Sequence, residues 1–439
     1  MSACRTKLRR RRCISTTAGF SAWARGRTRG APSYDVQDVG DLFVMPGLVD
    51  THVHINDPGR TDWEGFATAT AAAAAGGVTT LMDMPLNSVP ATTNERALDK
   101  KRRAARGKCH VDVGFLGGVV PGNLGQLQAL WDAGVFGFKC FLVPSGVNEF
   151  AHVAAADLEK AMPLLAKLGC TLMAHCELPE LIGSRLSALG SRQYSEYEAT
   201  RPPQSEAKAV ELLMQLTKKH GARSHVVHVS AKETVGLIRQ AQAEHIKITA
   251  ESCPHYLGLS AEEIPDGATE FKCAPPIRNG ANRDDLWKGF ADGVLTMIVS
   301  DHSPCPPVAK RRDTGDFFAA WGGIASLELG LAVIVTELRH RSIAPDRLAS
   351  WMSQAPAELV GADNRKGAIK AGLDADLAIF DPFTKFRVDQ ATMLQRHKLT
   401  PYHGRELVGR VQATYLRGRL IYAGGKIVGE PSGQMLVRP

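Results

Sequence analysis

Between residues 44 and 304, eight short apolar runs rich in Val, Ile and Leu alternate with longer stretches of helical spacing, and the texture changes after residue 366. Strands alternating with helices imply a parallel sheet covered by helices. Eight repeats over about 260 residues match the strand count of a (β/α)8 barrel. The sequence therefore predicts an α/β chain, a TIM barrel with a small β unit built from the C-terminal segment. A doubly wound sheet would contain fewer strands.

In chain order, residues 1–40 form a basic tail with Arg9 to Arg12 in an unbroken row and Ser15, Thr16, Thr17, Arg25, Arg27 and Arg29 after it. Nothing in it alternates cleanly enough to predict a strand. Its Arg-rich, acid-free composition fits either an organelle transit peptide or a disordered arm. The eight strand runs are 44–55, 78–85, 110–120, 135–143, 171–177, 225–230, 246–257 and 295–303. Segments 64–75, 157–168, 205–219 and 231–243 have the Ala, Leu, Glu and Lys content of helices, and 345–360 reads as another. Beyond it, 374–380 and 412–416 read as strands separated by Gly-containing turns. The expected division is a tail at 1–40, a barrel at 44–365 and a β unit at 366–439.

Composition narrows the function classes. With 44% hydrophobic, 6% aromatic and 22% charged residues, the chain is neither collagen-like, coiled-coil nor disordered overall. No apolar run reaches the ~18 residues of a membrane span. The net charge is +8, but residues 1–30 hold nine Lys/Arg and no acid. Removing those nine leaves −1, so the body is neutral and nucleic acid is not an expected partner. Nine cysteines without a Cys-x-x-Cys pair or a secretory segment point to a reducing compartment. That means cytoplasmic residence, or mitochondrial if the tail is a transit peptide.

Barrel enzymes work at the C-terminal ends of their strands, and those ends collect the chemistry-bearing residues here. His52 and His54 are two apart, so their side chains share one side of the first strand. Lys139 lies in the fourth run, His175 and His228 end the fifth and sixth, and Asp301 ends the eighth. A lone His is usually an ordinary hydrogen-bonded residue, but this many at corresponding ends suit divalent metals of the zinc type. Four His and one Asp exceed what one open metal needs. Two ions ~3.5–4 Å apart would use them if an anion bridged the pair. Lys139 supplies that anion if its amine is deprotonated and carbamylated by carbon dioxide.

With Met45-Pro46-Gly47-Leu48-Val49-Asp50, Asn56-Asp57-Pro58-Gly59-Arg60, Asp83-Met84-Pro85-Leu86-Asn87-Ser88, Phe138-Lys139-Cys140-Phe141, Ser252-Cys253-Pro254-His255-Tyr256-Leu257 and Ser300-Asp301-His302-Ser303-Pro304, the chain resembles the cyclic-amide hydrolases of the amidohydrolase superfamily from residue 44 to about 425. Its nearest likeness is to the allantoinase group. The resemblance implies His52, His54, His175 and His228 as metal ligands, Lys139 as a carbamylated bridge and Asp301 as both ligand and proton shuttle. It further implies a bridging hydroxide attacking a ring amide, and a homo-oligomer, a tetramer. Hydantoinases or dihydropyrimidinases, dihydroorotases, and, in another class, metal-free scaffold relatives are the alternatives.

Departures from those groups argue the substrate. Dihydroorotases usually carry an Arg where this chain has Asn56, and they use it to hold a carboxylate. An uncharged ureide ring needs amide and hydroxyl partners instead, which suits Asn87 and Ser303 and favours allantoin. Gly323, in the pair Gly322-Gly323, offers a backbone that substrate can approach. His255 and Glu177 read as orienting or structural groups. Cys140, Cys176, Cys253, Cys273 and Cys305 read as packing residues. The superfamily usually opens with about 50 residues of β structure that complete a sandwich with the C-terminal strands. An Arg-rich tail occupies that place, so an incomplete β-sandwich with an exposed edge is expected.

Overall fold

The computed structural model describes residues 12–15, 20–24, 37–183 and 190–438. The transit-peptide or disordered-arm reading of the tail lies outside them, except for two short strands, β1 (Arg12–Ser15) and β2 (Phe20–Ala24), paired antiparallel. The expectation that the tail holds no strand is corrected there. A single hairpin this short has no long alternation to reveal it.

Run 44–55 is two strands rather than one. Strand β3 (Phe43–Pro46) joins the C-terminal sheet, and β4 (Leu48–Val53) opens the barrel. The barrel continues through β5 (Val78–Asp83), β6 (Asp112–Phe115), β7 (Gly117–Gly118), β8 (Phe138–Phe141), β9 (Thr171–His175), β10 (Arg223–Val226), β11 (Ile248–Ser252) and β12 (Met297–Ile298). All pairings among them are parallel. The third run holds both β6 and β7: β6 pairs with β5, and β7 with β8. The ring closes where Val53 bridges His302 and the His54 N–H donates to the His302 carbonyl at 2.8 Å. Both β4 and β5 are buried along their whole length, as strands covered on both faces are.

Helices Phe66–Ala75, Glu95–Ala105, Ala155–Leu168, Pro203–His220, Lys232–Ala243, Gly280–Ala291 and Gly330–His340 pack around the ring. The segment expected as one helix at 345–360 is broken into a 3-10 turn Pro345–Arg347, a π turn Ser350–Gln354 and a short α-helix Ala355–Leu359. Pro356 lacks the N–H that would bond the Met352 carbonyl, so the preceding turn widens.

Four further strands follow: β13 (Leu377–Arg387), β14 (Glu406–Leu416), β15 (Arg419–Ala423) and β16 (Lys426–Ile427). With β3 they form one antiparallel sheet in the order β16-β15-β14-β13-β3. Thus β3, upstream of the barrel, supplies one of the partners that the C-terminal strands were expected to lack.

Candidate metal centre

His52 is the last residue but one of β4, and its Nδ1 meets Glu251 Oε1 from β11 at 2.6 Å. With Nδ1–H donating there, Nε2 is left as the lone-pair face, 3.3 Å from Asp301 Oδ1. Glu251 Oε2 accepts from His225 Nε2 at 2.9 Å. Burial would raise this carboxyl, but His52 and His225 bring it down to about 2, so it is an ionised acceptor. His175 repeats the arrangement. Its Nε2 donates to Glu177 Oε2 at 2.7 Å, and Glu177 is gripped by Arg201 through Nε at 2.9 Å and Nη2 at 2.6 Å. The His175 Nδ1 then faces His228 Nε2 at 2.9 Å. Two imidazole nitrogens this close, each without another acceptor, are arranged to share a cation.

Asp301 Oδ1 lies 3.5 Å from His54 Nε2, and one ligand atom from each of His52, His228 and Asp301 lies within 4.8 Å of the other two. Burial pushes His54 down to about 4 and lowers His175 and His228 as well, keeping these imidazoles neutral and able to donate a lone pair. Lys139 is fully buried, and its Nζ has no hydrogen-bond partner. Its charge acts on His54, His175 and His228, and burial lowers its amine to about 8. An isolated buried ammonium is costly, so the position suits an amine converted to an anionic ligand. The donor set fits a metal centre on that observation.

Backbone strain accompanies the chemistry. Asn56, Asn87, His228 and Asp301 hold φ values of 66°, 60°, 42° and 43°, a region costing about 1–3 kcal/mol for each non-Gly residue.

The three residues expected at substrate differ in what they offer. Asn87 keeps a buried side-chain oxygen without a partner. The Ser303 hydroxyl is turned back on Asp301, 2.7 Å from its carbonyl and 3.2 Å from Oδ1. The Gly323 N–H donates to the Lys272 carbonyl at 2.9 Å and its carbonyl accepts from Lys310 Nζ. Its carbonyl keeps a second lone pair, and a Cβ at Gly323 would meet the Ser303 carbonyl oxygen at 2.3 Å. His255 is buried with neither ring nitrogen bonded. Cys140, Cys176, Cys253, Cys273 and Cys305 are free and buried. Sequence reasoning missed Glu251, His225 and Arg201. A carboxylate near the C-terminal end of the strand run 246–257 was the available signal for Glu251.

Residues 43–421 match the amidohydrolase family. The chain belongs to that family. Among members of the amidohydrolase family it is 49% identical over 403 residues to the allantoinase of Streptomyces avermitilis, covering 92% of this chain and 89% of that one. Identity to the Saccharomyces cerevisiae allantoinase is 42%, with coverage of 92% and 88%. The solved L-hydantoinase (dihydropyrimidinase) from Arthrobacter aurescens superposes with a TM-score of 0.89 at 31% identity, covering 97% of this chain and 95% of that one.

Proposed function

We propose that this amidohydrolase opens the cyclic amide of allantoin to give allantoate. The observation that carries the metal-dependent reading is the buried Lys139 Nζ, without a hydrogen-bond partner, together with His52, His228 and Asp301, whose ligand atoms lie within 4.8 Å of one another. The choice of allantoin rests on the names of the relatives and on Asn56 standing where a carboxylate-binding Arg would be.

His52, His54, His175, His228, Asp301 and carbamylated Lys139 would hold two divalent cations, zinc first among them. Bound there, such a pair lowers the pKa of water and polarises an amide carbonyl. Water adds across the C–N bond, with its oxygen going to the carbonyl carbon and a proton to the departing ring nitrogen. Asp301 Oδ1 is the group that holds that proton between the two events. Ser303, bonded to Asp301, keeps the carboxylate aimed, and Asn87 Oδ1 accepts from a substrate N–H. Glu251 and Glu177 hold His52 and His175 in the tautomers that face the cations.

The same reading takes 44–365 as the catalytic barrel and 366–439 as its β unit, with β3 contributed from upstream. It takes the working form as a homotetramer, and Phe383, 63% exposed, is a residue such an assembly could cover. Among the described residues no helix is long and apolar enough to cross a membrane. The Arg-rich tail, together with a relative in Aquarana catesbeiana named "Allantoinase, mitochondrial", supports mitochondrial residence.

The test is hydrolysis by zinc-loaded protein of allantoin, hydantoin, dihydrouracil and dihydroorotate in parallel. Allantoin should be turned over fastest. Turnover of hydantoin with allantoin inert refutes the substrate, and full activity after stripping the metal refutes the mechanism.

A further inference from the structure

Arg60 follows β4, and its guanidinium reaches two neighbouring loops at the barrel mouth. Nη1 donates to the main-chain carbonyl of Asn87, beyond β5, at 2.7 Å. Nη2 pairs with Glu149 Oε1, beyond β8, at 3.0 Å. The guanidinium also lies 5.4 Å from the ring centroid of Trp63, and Trp63 meets Trp321, beyond β12, edge to face at 4.8 Å. One side chain and its stacking partner thus join the loops of the first, second, fourth and eighth strands.

Those loops are in direct contact beneath the guanidinium. The Val89 N–H donates to the Pro58 carbonyl at 2.8 Å. Gly59, at φ 89°, lies so close that a Cβ there would come within 2.5 Å of Val89 Cβ. Asn87 sits at the centre with left-handed backbone and an unpartnered, buried Oδ1. The carbonyl that Arg60 holds is Asn87's own, so the bond fixes the peptide plane from which that side chain projects.

We infer that Arg60 is a positioning residue that sets substrate affinity, clasping the mouth loops so that Asn87 presents its amide to the ring. This rests on the reading of the site as a ring-amide hydrolase. Arg60 is not a catalytic residue, and no bond joins it to the proposed ligands. A lysine does not replace it, because two diverging N–H groups and a planar face are used at once. The ion pair with Glu149 is partly exposed and weak by itself. The weight falls on the Asn87 carbonyl.

Steady-state kinetics with allantoin on zinc-loaded wild type, Arg60→Met, Arg60→Lys and Glu149→Ala tests the clasp. Arg60→Met should raise KM about tenfold or more, with kcat within about threefold and metal content unchanged, the pattern of lost ground-state binding. Arg60→Lys should recover little of this, and millimolar guanidinium ion should partly restore Arg60→Met. Glu149→Ala, which keeps the Asn87 bond, should raise KM about two- to threefold, a rim-sized effect. An unchanged KM in Arg60→Met, a fall in kcat at fixed KM, or full recovery by lysine overturns the proposal. Should Arg60→Met fail to fold, Arg60→Leu, which also loses the Asn87 bond, takes its place, and an unchanged KM there overturns the proposal. Wild-type protein inert toward allantoin fails the hydrolase reading instead, and the variants are then read with whichever ring in the panel is turned over.

Discussion

Lys139 is the residue on which the chemistry turns. His54, His175 and His228 are held by burial in their neutral forms, and His52 and His175 are aimed by carboxylates, but the amine, set over the Phe141 ring, has no hydrogen-bond partner. On the proposed reading, a side chain that cannot bridge two cations would remove a ligand rather than an orienting contact. Lys139→Ala should therefore lower metal affinity by more than the roughly 10–100-fold that changes behind the ligands cost, and activity should fall with it. Metal analysis and turnover check this, and a short-chain carboxylic acid should restore part of both. Full activity in the variant would refute the bridge.

At the scale of elements, the strand ends carry the strain and the loops beyond them carry the aim. Asp301 and Ser303 leave the eighth strand, and Gly323 returns against them from the next loop with its N–H on Lys272. A Cβ at Gly323 would stand 2.3 Å from the Ser303 carbonyl oxygen, which is backbone and cannot rotate away. Gly323→Ala must then shift the Ser303 segment and the carboxylate it orients. A displacement of about 1 Å near reacting atoms costs on the order of a hundredfold in rate. The expected outcome is that loss in kcat/KM with the circular dichroism of the fold unchanged; wild-type kinetics would show that the loop yields without moving Asp301.

Across the whole molecule, the β unit and the barrel are held together by buried charge and shared hydrogen bonds. Lys366 Nζ meets Asp112 at 2.7 Å, Asp374 at 2.9 Å and Asp376 at 2.7 Å, and Arg417 also binds Asp112. This ammonium sits among three carboxylates that would otherwise resemble a cation site. The Val113 N–H donates to Gln434 and the Leu436 N–H to Val113, so the C-terminal segment runs along β6. Glu328 makes a further tie, accepting the Leu394 N–H at 2.7 Å, and burial raises its carboxyl from 4.5 to about 7. A carboxyl whose folded pKa lies above its unfolded value holds extra protons when folded. Stability is therefore lost as pH rises from about 4.5 through 7. Glu328→Gln keeps the acceptor and removes the charge, so it should melt above wild type at pH 8, with the gap closing toward pH 5. Thermal melts at both values decide it, and a gap that is larger at pH 5 counts against the assignment.

How far the sequence could be read depends on how local each signal is. The strand–helix alternation, the shared side of His52 and His54, the place of Lys139 within the fourth run and the strand-end positions of His175, His228 and Asp301 follow from periods of 2 and 3.6 residues along the chain. Those were legible because a barrel brings every strand end to one rim. The partition of 44–55 between two sheets was not, since β3 is defined by its pairing with β13, more than 300 residues away. The same holds for Glu251 on His52, separated by 199 residues, and for Arg60 on Asn87 and Glu149. Which carboxylate orients which imidazole, and which partners the backbone groups of Gly323 take, are matters of distance between remote segments. No local pattern encodes them, and only the closed ring and its packed loops decide them.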